Sequence, residues 1–166
     1  MEKYLEKDLS KLYQTLQGLV GLHRQLLETL RFEKDALVAV DLKQIQEAVL
    51  AKEATIESIR QAEFNRIQIM HSFEEKTLNE LISTFQVAQP KMAEQLRSTY
   101  QALKMLLDRT IEANKYNERL TAQALEHVGN MKKNVLGESV PSASTYTAQG
   151  QRTNSASGAR LISKEA

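Results

Sequence analysis

Leucines recur near the start of the chain at alternating steps of four and three residues, and this spacing constrains the fold more than any other feature. The series is Leu5, Leu9, Leu12, Leu16, Leu19, His23, Leu26 and Leu30. Such spacing places side chains along one side of an α-helix that packs lengthwise against other helices. Tyr13, Val20 and Leu27 widen the stripe, as expected for a helix with two neighbours. We therefore predict a long first helix inside a helical bundle.

Composition agrees with a helical protein. The 166 residues include no Trp and only 5% aromatic residues, so Leu, Ile, Val, Met and Ala must supply the core. Six Gly and two Pro leave few positions that favour turns. We predict an all-α fold, an elongated antiparallel bundle of three long helices and one short helix in residues 1–137. A flexible, disordered tail is predicted for residues 138–166.

A second periodic segment starts at Asp41 and predicts a second long helix. Asp41 can accept a hydrogen bond at a helix N-terminus, and Gln44 follows three residues later. Because few residues separate this segment from the first helix, an antiparallel hairpin is favoured over a kinked continuation. The apolar positions of the segment, which ends near Met70, are Leu42, Ile45, Val49, Ile56, Ile59, Ile67 and Met70.

Two further helix starts are predicted. Ser72 and Glu75 form a capping-box pattern, which opens a short helix. Pro90 marks the start of the last helix, and nothing breaks the helical pattern before about Val135. That helix would be on the order of 65 Å long, the longest in the chain. The apolar positions of the short helix are Leu78, Leu81, Ile82 and Phe85.

Composition changes after Gly137, a residue suited to a helix C-cap. Ser, Thr, Ala, Gly and Asn dominate the remaining residues, so we predict that this segment is disordered. Tyr146, Leu161 and Ile162 are isolated apolar residues within it. Such residues are candidates for short linear contacts with a partner, although they can also be unused sequence.

The residue pattern argues against an enzyme and predicts neither a metal site nor a cofactor. The absence of Cys excludes disulfides, thiolate ligands and a cysteine nucleophile. None of the three His residues is preceded by Glu at the spacing that bundle metal enzymes use. The sequence has no glycine-rich phosphate loop and no nucleophile elbow. His23 lies within the leucine series, so we expect a partly buried residue at a bundle layer.

Charge and hydropathy favour a soluble, cytoplasmic protein. Its 22 basic and 21 acidic residues give a net charge of +1, so no overall field attracts nucleic acid or anionic lipid. The N-terminal residues are amphipathic and lack the apolar core of a signal peptide. No uninterrupted apolar run is long enough to span a membrane, so stable membrane insertion is not expected.

The last helix carries more apolar side chains than one neighbouring helix can cover. Its final turns are candidates to project past the bundle and to offer Leu125, Val128 and Met131 to a partner helix. Ordinary core packing combined with a dimer contact would explain the same residues. Asn114 and Asn117 lie one turn apart and either face solvent or fix the register of a bound helix. The apolar set is Met92, Leu96, Tyr100, Leu103, Leu106, Leu107, Ile111, Leu120, Leu125, Val128, Met131 and Val135.

Several stretches resemble the FlgN-type flagellar export chaperones. In the predicted hairpin they are Leu26-Leu27, Glu33, Ala36-Leu37, Asp41-Leu42, Ile45, Lys52-Glu53 and Ile56. The long helix has an Asn-x-x-Asn stretch between Asn114 and Leu120. Residues 146–151 resemble the family's tail motif, and residues 158–163 resemble its basic, then apolar, end. The resemblance follows the family's order over nearly the whole chain.

This resemblance implies a chaperone for the hook-associated proteins that form the hook-filament junction. It would bind their C-terminal helical segments, prevent premature self-association and deliver them to the cytoplasmic domain of the flagellar type III export gate. It also implies that Tyr146 contacts the gate once cargo is bound. The candidate cargo-binding residues on the long helix are Leu103, Leu107, Ile111, Asn114, Asn117, Leu120, Leu125, Val128 and Met131.

Two other functions compete with this interpretation. A structural coiled-coil adaptor would self-associate through the long helix and would ignore junction-protein peptides. A peripheral membrane-binding module would need a basic face that the balanced charge does not supply. Oligomeric state in the presence and absence of a cargo peptide separates the chaperone from the adaptor.

Overall fold

Four α-helices make up the described parts of the chain. The structure, a computed structural model, describes the backbone of residues 2–73 and 77–136 and the side chains of residues 7–73 and 77–135. The helices are α1 (Glu2–Ala39), α2 (Leu42–His71), α3 (Leu78–Ala88) and α4 (Pro90–Leu136), and these ranges contain no strand. The predicted all-α fold with three long helices and one short helix is confirmed.

The chain divides into two compact units, Met1–Ala124 and Leu125–Ala166. The domain boundary predicted between residues 137 and 138 stays a prediction. Gly137 and the predicted tail, including Tyr146, lie outside the described residues. No helix within residues 2–73 or 77–136 is both long enough and apolar enough to cross a membrane.

The leucine series of α1 forms the centre of the first unit. All of its members from Leu9 to Leu30 are buried, while the side chain of Leu5 lies outside the described residues. Val20 and Leu27 are buried beside them, which confirms the predicted width of the stripe. Burial of one Leu side chain stabilises a fold by about 1.5–3 kcal/mol. The core residues that α2, α3 and α4 place in the same cluster are Met70, Leu78, Leu81, Ile82, Ala93, Leu96 and Leu103.

A two-residue turn reverses the chain between α1 and α2. The Val40 amide donates to the Leu37 carbonyl at 3.2 Å, and the Asp41 amide donates to the Ala36 carbonyl at 3.0 Å. This pair of bonds is a Schellman motif, which satisfies carbonyls at a helix C-terminus. Val40 has a φ of +55°, a conformation that β-branched residues rarely adopt. Asp41 then caps α2, because its Oδ1 accepts from the Gln44 amide at 3.1 Å, as predicted.

The hairpin prediction is confirmed, because α1 and α2 are the most closely packed pair of helices. The Lys52 Nζ lies 2.5 Å from a Glu33 carboxylate oxygen, so residues near the end of α1 face residues near the start of α2. Small side chains, including Ala36 and Ala48, are buried between these helices and allow the backbones to approach.

The predicted apolar positions of α2 are only partly on its buried side. Leu42, Ile56 and Ile67 are exposed, whereas Met70 is buried. Ala48 and Thr55 are the other buried residues of α2. Because α1 already supplies a row of leucines, α2 needs small residues rather than large ones at the contact. The apolar pattern therefore identified the helix but not the full set of residues that it buries.

The short helix starts later than the Ser72–Glu75 pattern predicted. Thr77 is the N-cap of α3, and its hydroxyl accepts from the Glu80 amide at 3.2 Å. Ser72 instead follows α2 as its C-cap, and its hydroxyl donates to the Ile69 carbonyl at 2.7 Å. Glu75 lies outside the described residues. The predicted apolar face of α3 is confirmed: Leu78, Leu81 and Ile82 are buried and Phe85 packs against the core.

The last helix begins at Pro90, as predicted, because proline fits the first position of a helix where no amide donor is needed. Along the first unit α4 runs in the same direction as α1. Val20 and Thr99 line one surface depression, and further along both helices the Asn117 side chain reaches the Leu30 carbonyl. The buried positions Leu96, Leu103, Thr110 and Asn117 recur every seven residues.

His23 is buried within the leucine series, which confirms its predicted place at a bundle layer. Its Nδ1 atom is buried without a hydrogen-bond partner among the described residues. Burial lowers the pKa of His23 because it disfavours the charged imidazolium, and the nearby Glu63 carboxylate opposes part of that shift. No cluster of three metal-binding side chains occurs in the part of the chain that the structure describes.

Candidate functional site

Three polar side chains, one from each long helix, meet inside the first unit where the leucine core ends. Glu33 of α1, Lys52 of α2 and Asn117 of α4 form this cluster, which we call the polar layer. The Asn117 amide nitrogen donates to the Leu30 carbonyl and to a Glu33 carboxylate oxygen, both at 2.8 Å. The other Glu33 carboxylate oxygen accepts from Lys52 Nζ at 2.5 Å. Each helix is thereby fixed in register with the other two.

The polar layer is nearly closed to solvent. Glu33 and Asn117 are buried, and the Lys52 side chain is only 21% exposed. A buried carboxylate is costly unless a cation and further donors surround it, and here it has both. Such layers favour one register over others when helices pack, because any shift leaves a polar group without its partner. The layer therefore holds α4 in place at this level of the bundle.

An apolar groove lies between α1, α2 and α4 at the same level. Its volume is about 370 Å³. Leu26 and Leu30 are buried at its floor, whereas Ile56 is 40% exposed and Ile111 is 51% exposed. We call it the apolar groove; its lining residues are Leu26, Leu30, Lys52, Ile56, Thr110, Ile111, Asn114, Lys115 and Glu118.

Charged and amide groups border the apolar groove. The Asn114 amide nitrogen donates to a Glu118 carboxylate oxygen at 2.7 Å, which orients both side chains along α4. Lys52 and Lys115 also line the groove. An apolar floor with polar edges is the arrangement that an amphipathic helix needs from its partner, since its apolar face is buried while its polar face stays in water. The groove is thus suited to receiving apolar side chains from one face of a partner helix.

Comparison with known proteins identifies the family. The family model described as FlgN protein matches residues 1–154, most of the chain. The chain belongs to the FlgN family. FlgN is a family of flagellar export chaperones and not a family of enzymes. The predicted resemblance is therefore confirmed. Searches of curated proteins and of solved structures found no match.

The cargo-binding residues predicted for this FlgN-family chain fall into three groups. Ile111 and Asn114 line the apolar groove, and Leu107 on the same helix is 39% exposed. Leu103 and Asn117 are buried and contribute to the internal packing of the first unit, while Leu120 is half-buried. Their role in binding cargo stays a prediction.

The remaining predicted cargo residues belong to the second compact unit. Leu125, Val128 and Met131 are 68%, 62% and 59% exposed, and Val135 is also exposed. The described side chains of this unit therefore present apolar surface to solvent, as the surplus of apolar residues predicted. Large exposed apolar side chains that cluster on one element are typical of contact surfaces.

Sequence reasoning missed Ile56 as a groove residue. It was predicted only as part of the apolar stripe of α2, and as one of the residues that resemble the FlgN family. A signal was present, because α2 has more apolar residues than α1 needs from it. The residues of α1 and α2 that meet α4 cannot be chosen from spacing alone, since that choice depends on how three helices are rotated against one another.

Proposed function

We propose that this FlgN-family chaperone binds the C-terminal helical segments of hook-filament junction proteins in the cytoplasm and delivers them to the flagellar export gate. The observation that carries the proposal is the apolar groove, which the described residues leave open to solvent at Ile56 and Ile111, on a chain of a flagellar chaperone family. No cofactor and no catalytic residue are needed, because binding alone keeps the cargo apart from other copies of itself.

In the proposed complex, the apolar face of the cargo helix lies against Ile56, Leu107 and Ile111. Full burial of one such side chain is worth about 1.5–3 kcal/mol, part of which is lost in ordering the cargo. Asn114 and Glu118 bond to each other and leave further lone pairs and donors for the polar edge of the cargo helix. The result is specific, reversible binding, which a delivery cycle requires.

Leu103 and Asn117 have an indirect role in this proposal. Both are buried, so in this proposal they hold α4 against α1 and support the groove from inside, and a direct contact of either residue with cargo stays a prediction. Asn117 positions α4 through its bonds to Leu30 and Glu33. Leu125, Val128 and Met131 provide a second apolar contact set for the cargo, supported by their exposure in the second unit.

The groove is tested by calorimetry with a synthetic peptide from the C-terminus of a junction protein. We expect one-to-one binding and a gain of peptide helicity by circular dichroism. Ile111→Glu should weaken binding about tenfold, since it places a charge on the apolar contact. Met105→Glu is the matched control, because Met105 is an exposed apolar residue of α4 outside the groove lining. Absence of binding by the unaltered chain would reject the proposal.

A structural coiled-coil adaptor is the competing function, because the exposed apolar residues of α4 also suit self-association. Analytical ultracentrifugation with and without the junction-protein peptide separates the two. A chaperone forms a one-to-one complex with the peptide. An oligomer that persists unchanged and ignores the peptide would favour the adaptor.

We also propose that Tyr146 contacts the cytoplasmic domain of the export gate when cargo is bound, as the family resemblance implies. Tyr146→Ala should leave cargo affinity and thermal stability unchanged and should weaken gate binding in a pull-down with the purified gate domain. An aromatic anchor of this kind contributes on the order of 2 kcal/mol to a contact. Thr147→Ala is the neighbouring control, and loss of cargo affinity in the Tyr146 variant would contradict this role.

A further inference from the structure

A second groove lies between α1 and α4 within the first unit, and cationic side chains dominate it. Arg31 and Lys34 come from α1, and Arg109 and Arg119 come from α4. Glu112 is the one acidic residue among its lining residues. Its volume is about 480 Å³, and we call it the basic groove. The net charge of the whole chain is only +1, so this concentration of cations is local.

Most of these cations lack an acidic partner among the residues that the structure describes. Lys34 lies 3.8 Å from Asp35, but neither Arg31 nor Arg109 forms an ion pair or a hydrogen bond with any of the described residues. Arg119 donates to the Lys115 carbonyl at 3.3 Å, and its guanidinium lies 5.9 Å from the centre of the Tyr116 ring. All four cationic residues are exposed. The donors of Arg31 and Arg109 have no partner among the described residues and can bind an anion, and guanidinium groups favour carboxylates in a two-point geometry.

The floor of the basic groove is apolar. Leu27 and Leu30 are buried beneath it, and the Tyr116 ring is 45% exposed at its edge. A free phosphate has no apolar group that could pack against this floor. Nucleic acid would need a longer track of cations, since its affinity grows with the number of phosphates neutralised. A polypeptide that carries both carboxylates and an aliphatic side chain matches the edge and the floor together.

We propose that the basic groove binds an acidic segment of a partner polypeptide. Carboxylates of the segment pair with Arg31 and Arg109, and an aliphatic side chain rests over Leu27 and Leu30. Charge complementarity identifies this occupant, because the groove has four cationic residues and only one acidic residue among its lining residues. This groove and the apolar groove have only Leu30 in common among their lining residues, so the proposal does not depend on the identity of the cargo.

The test uses the full chain and a labelled peptide of about 15 residues. In this peptide Glu recurs every three or four residues, and so does Leu, which is the spacing of neighbours on a helix surface. Fluorescence anisotropy should show binding that weakens as NaCl is raised from about 50 to 300 mM, since exposed charges are screened over this range. A second peptide has Gln in place of every Glu and should bind at least about tenfold more weakly. Equal binding of the two peptides would overturn the proposal.

Charge reversal locates the binding surface. Arg31→Glu combined with Arg109→Glu should weaken the acidic peptide about tenfold, whereas Arg31→Lys combined with Arg109→Lys should keep much of the affinity. Lys43→Glu combined with Lys104→Glu is the control, because it changes the net charge by the same amount at exposed positions outside the groove. It should leave the affinity for the acidic peptide within about twofold of that of the unaltered chain. Equal loss in both charge-reversed pairs would overturn the proposal. Circular dichroism verifies that each variant is folded.

A competition arm separates the acidic segment from other polyanions. Single-stranded RNA and inorganic phosphate are added to the chain already bound to the labelled peptide. We expect phosphate to displace the peptide only at concentrations that screen charges in general, and RNA to displace it less well than unlabelled peptide does. Displacement by RNA at lower concentration than by unlabelled peptide would overturn the proposal in favour of a nucleic-acid partner.

Discussion

Among single residues, Lys52 is the one whose removal should most disturb the polar layer. Lys52→Met retains the aliphatic stem but leaves the Glu33 carboxylate with Asn117 as its only partner in the layer. Removing one member of a buried ion pair is strongly destabilising, and because Lys52 is partly exposed we expect a loss of about 2–3 kcal/mol in the free energy of unfolding. Urea denaturation followed by circular dichroism measures this loss.

A double-mutant cycle separates the interaction between Glu33 and Lys52 from the other effects of each substitution on stability. Glu33→Gln in the Lys52→Met background removes the stranded charge and should restore part of the lost stability. Lys43→Met is the surface control, because Lys43 pairs with Glu47 at 3.9 Å where both side chains are exposed. That control should change stability by less than about 1 kcal/mol. Strict additivity of the two changes in the layer would show that the residues do not interact.

His23 should make the stability of the bundle depend on pH. Burial lowers the pKa of His23 below 6.5, so the unfolded chain binds the proton more readily than the folded chain. Stability is therefore fully present above pH 6.5 and is lost as pH falls from 6.5 towards the folded-state pKa. His23→Leu should remove this part of the pH dependence and stabilise the fold by about 1 kcal/mol near neutral pH, because the unpartnered Nδ1 is replaced.

The His23 prediction is checked by denaturation at several pH values between about 5 and 8, the range in which histidine titrates. His127→Gln serves as the control, because His127 is an exposed residue of α4. Its replacement should leave the pH dependence of stability unchanged. An identical slope before and after His23→Leu would show that His23 does not cause the dependence.

At the scale of helices and turns, Val40 is the clearest site of backbone strain. Its φ of +55° is unfavourable for a β-branched residue, and its side chain is 71% exposed, so little packing is lost when it is removed. Val40→Gly should stabilise the protein by about 1 kcal/mol, because glycine adopts this conformation without steric cost. Thermal unfolding provides the measurement.

Val38→Gly is the matched control for the turn. Val38 is also exposed, but it lies within the last turn of α1, where glycine is a poor helix former. It should lower stability by up to about 1 kcal/mol. Destabilisation by both glycine substitutions would mean that the flexibility gained by the unfolded chain outweighs the relief of strain at Val40.

Helix starts could be predicted where one local signal stood alone. Asp41 and Pro90 each have no second helix-start signal nearby, and the helix starts predicted from them are correct. Between α2 and α3 two capping patterns occur close together, Ser72 with Glu75 and Thr77 with Glu80. The later one is used, since it places Leu78, Leu81 and Ile82 in the first turns of a helix that faces the core. Tertiary packing decides between two equal local signals, and a single sequence does not contain that decision.

At the scale of the whole molecule, the sequence predicted that α4 has apolar surface to spare, and the exposure of Ile111 and Leu125 agrees. It did not predict that Asn117 is internal. The sequence allows Asn114 and Asn117 either to face solvent or to fix the register of a bound helix, and the two residues differ: Asn114 lines a groove whereas Asn117 bonds to α1. Asn114 and Asn117 lie about one helical turn apart on α4. Which of them faces the groove and which faces the interior depends on how α4 is rotated against its neighbours.

The division of the chain into two units predicts how it tolerates truncation. Every buried apolar side chain among the described residues lies at or before Leu103, so a chain that ends at Ala124 keeps all of the core that these residues form. Its thermal midpoint should stay within a few degrees of that of the full chain, since about 1 kcal/mol corresponds to a shift of roughly 2–8 °C. A larger fall would show that residues beyond Ala124 stabilise the first unit.

The same truncation tests whether cargo uses both proposed contact sets. If Leu125, Val128 and Met131 contact the cargo helix, the chain that ends at Ala124 should bind the junction-protein peptide about tenfold more weakly while remaining folded. Replacing these three residues with Ser in the full chain should have the same effect, because it removes the apolar contacts without shortening the protein. Calorimetry measures both affinities. Full affinity in both variants would assign cargo binding to the apolar groove alone, since that groove lies wholly within the first unit.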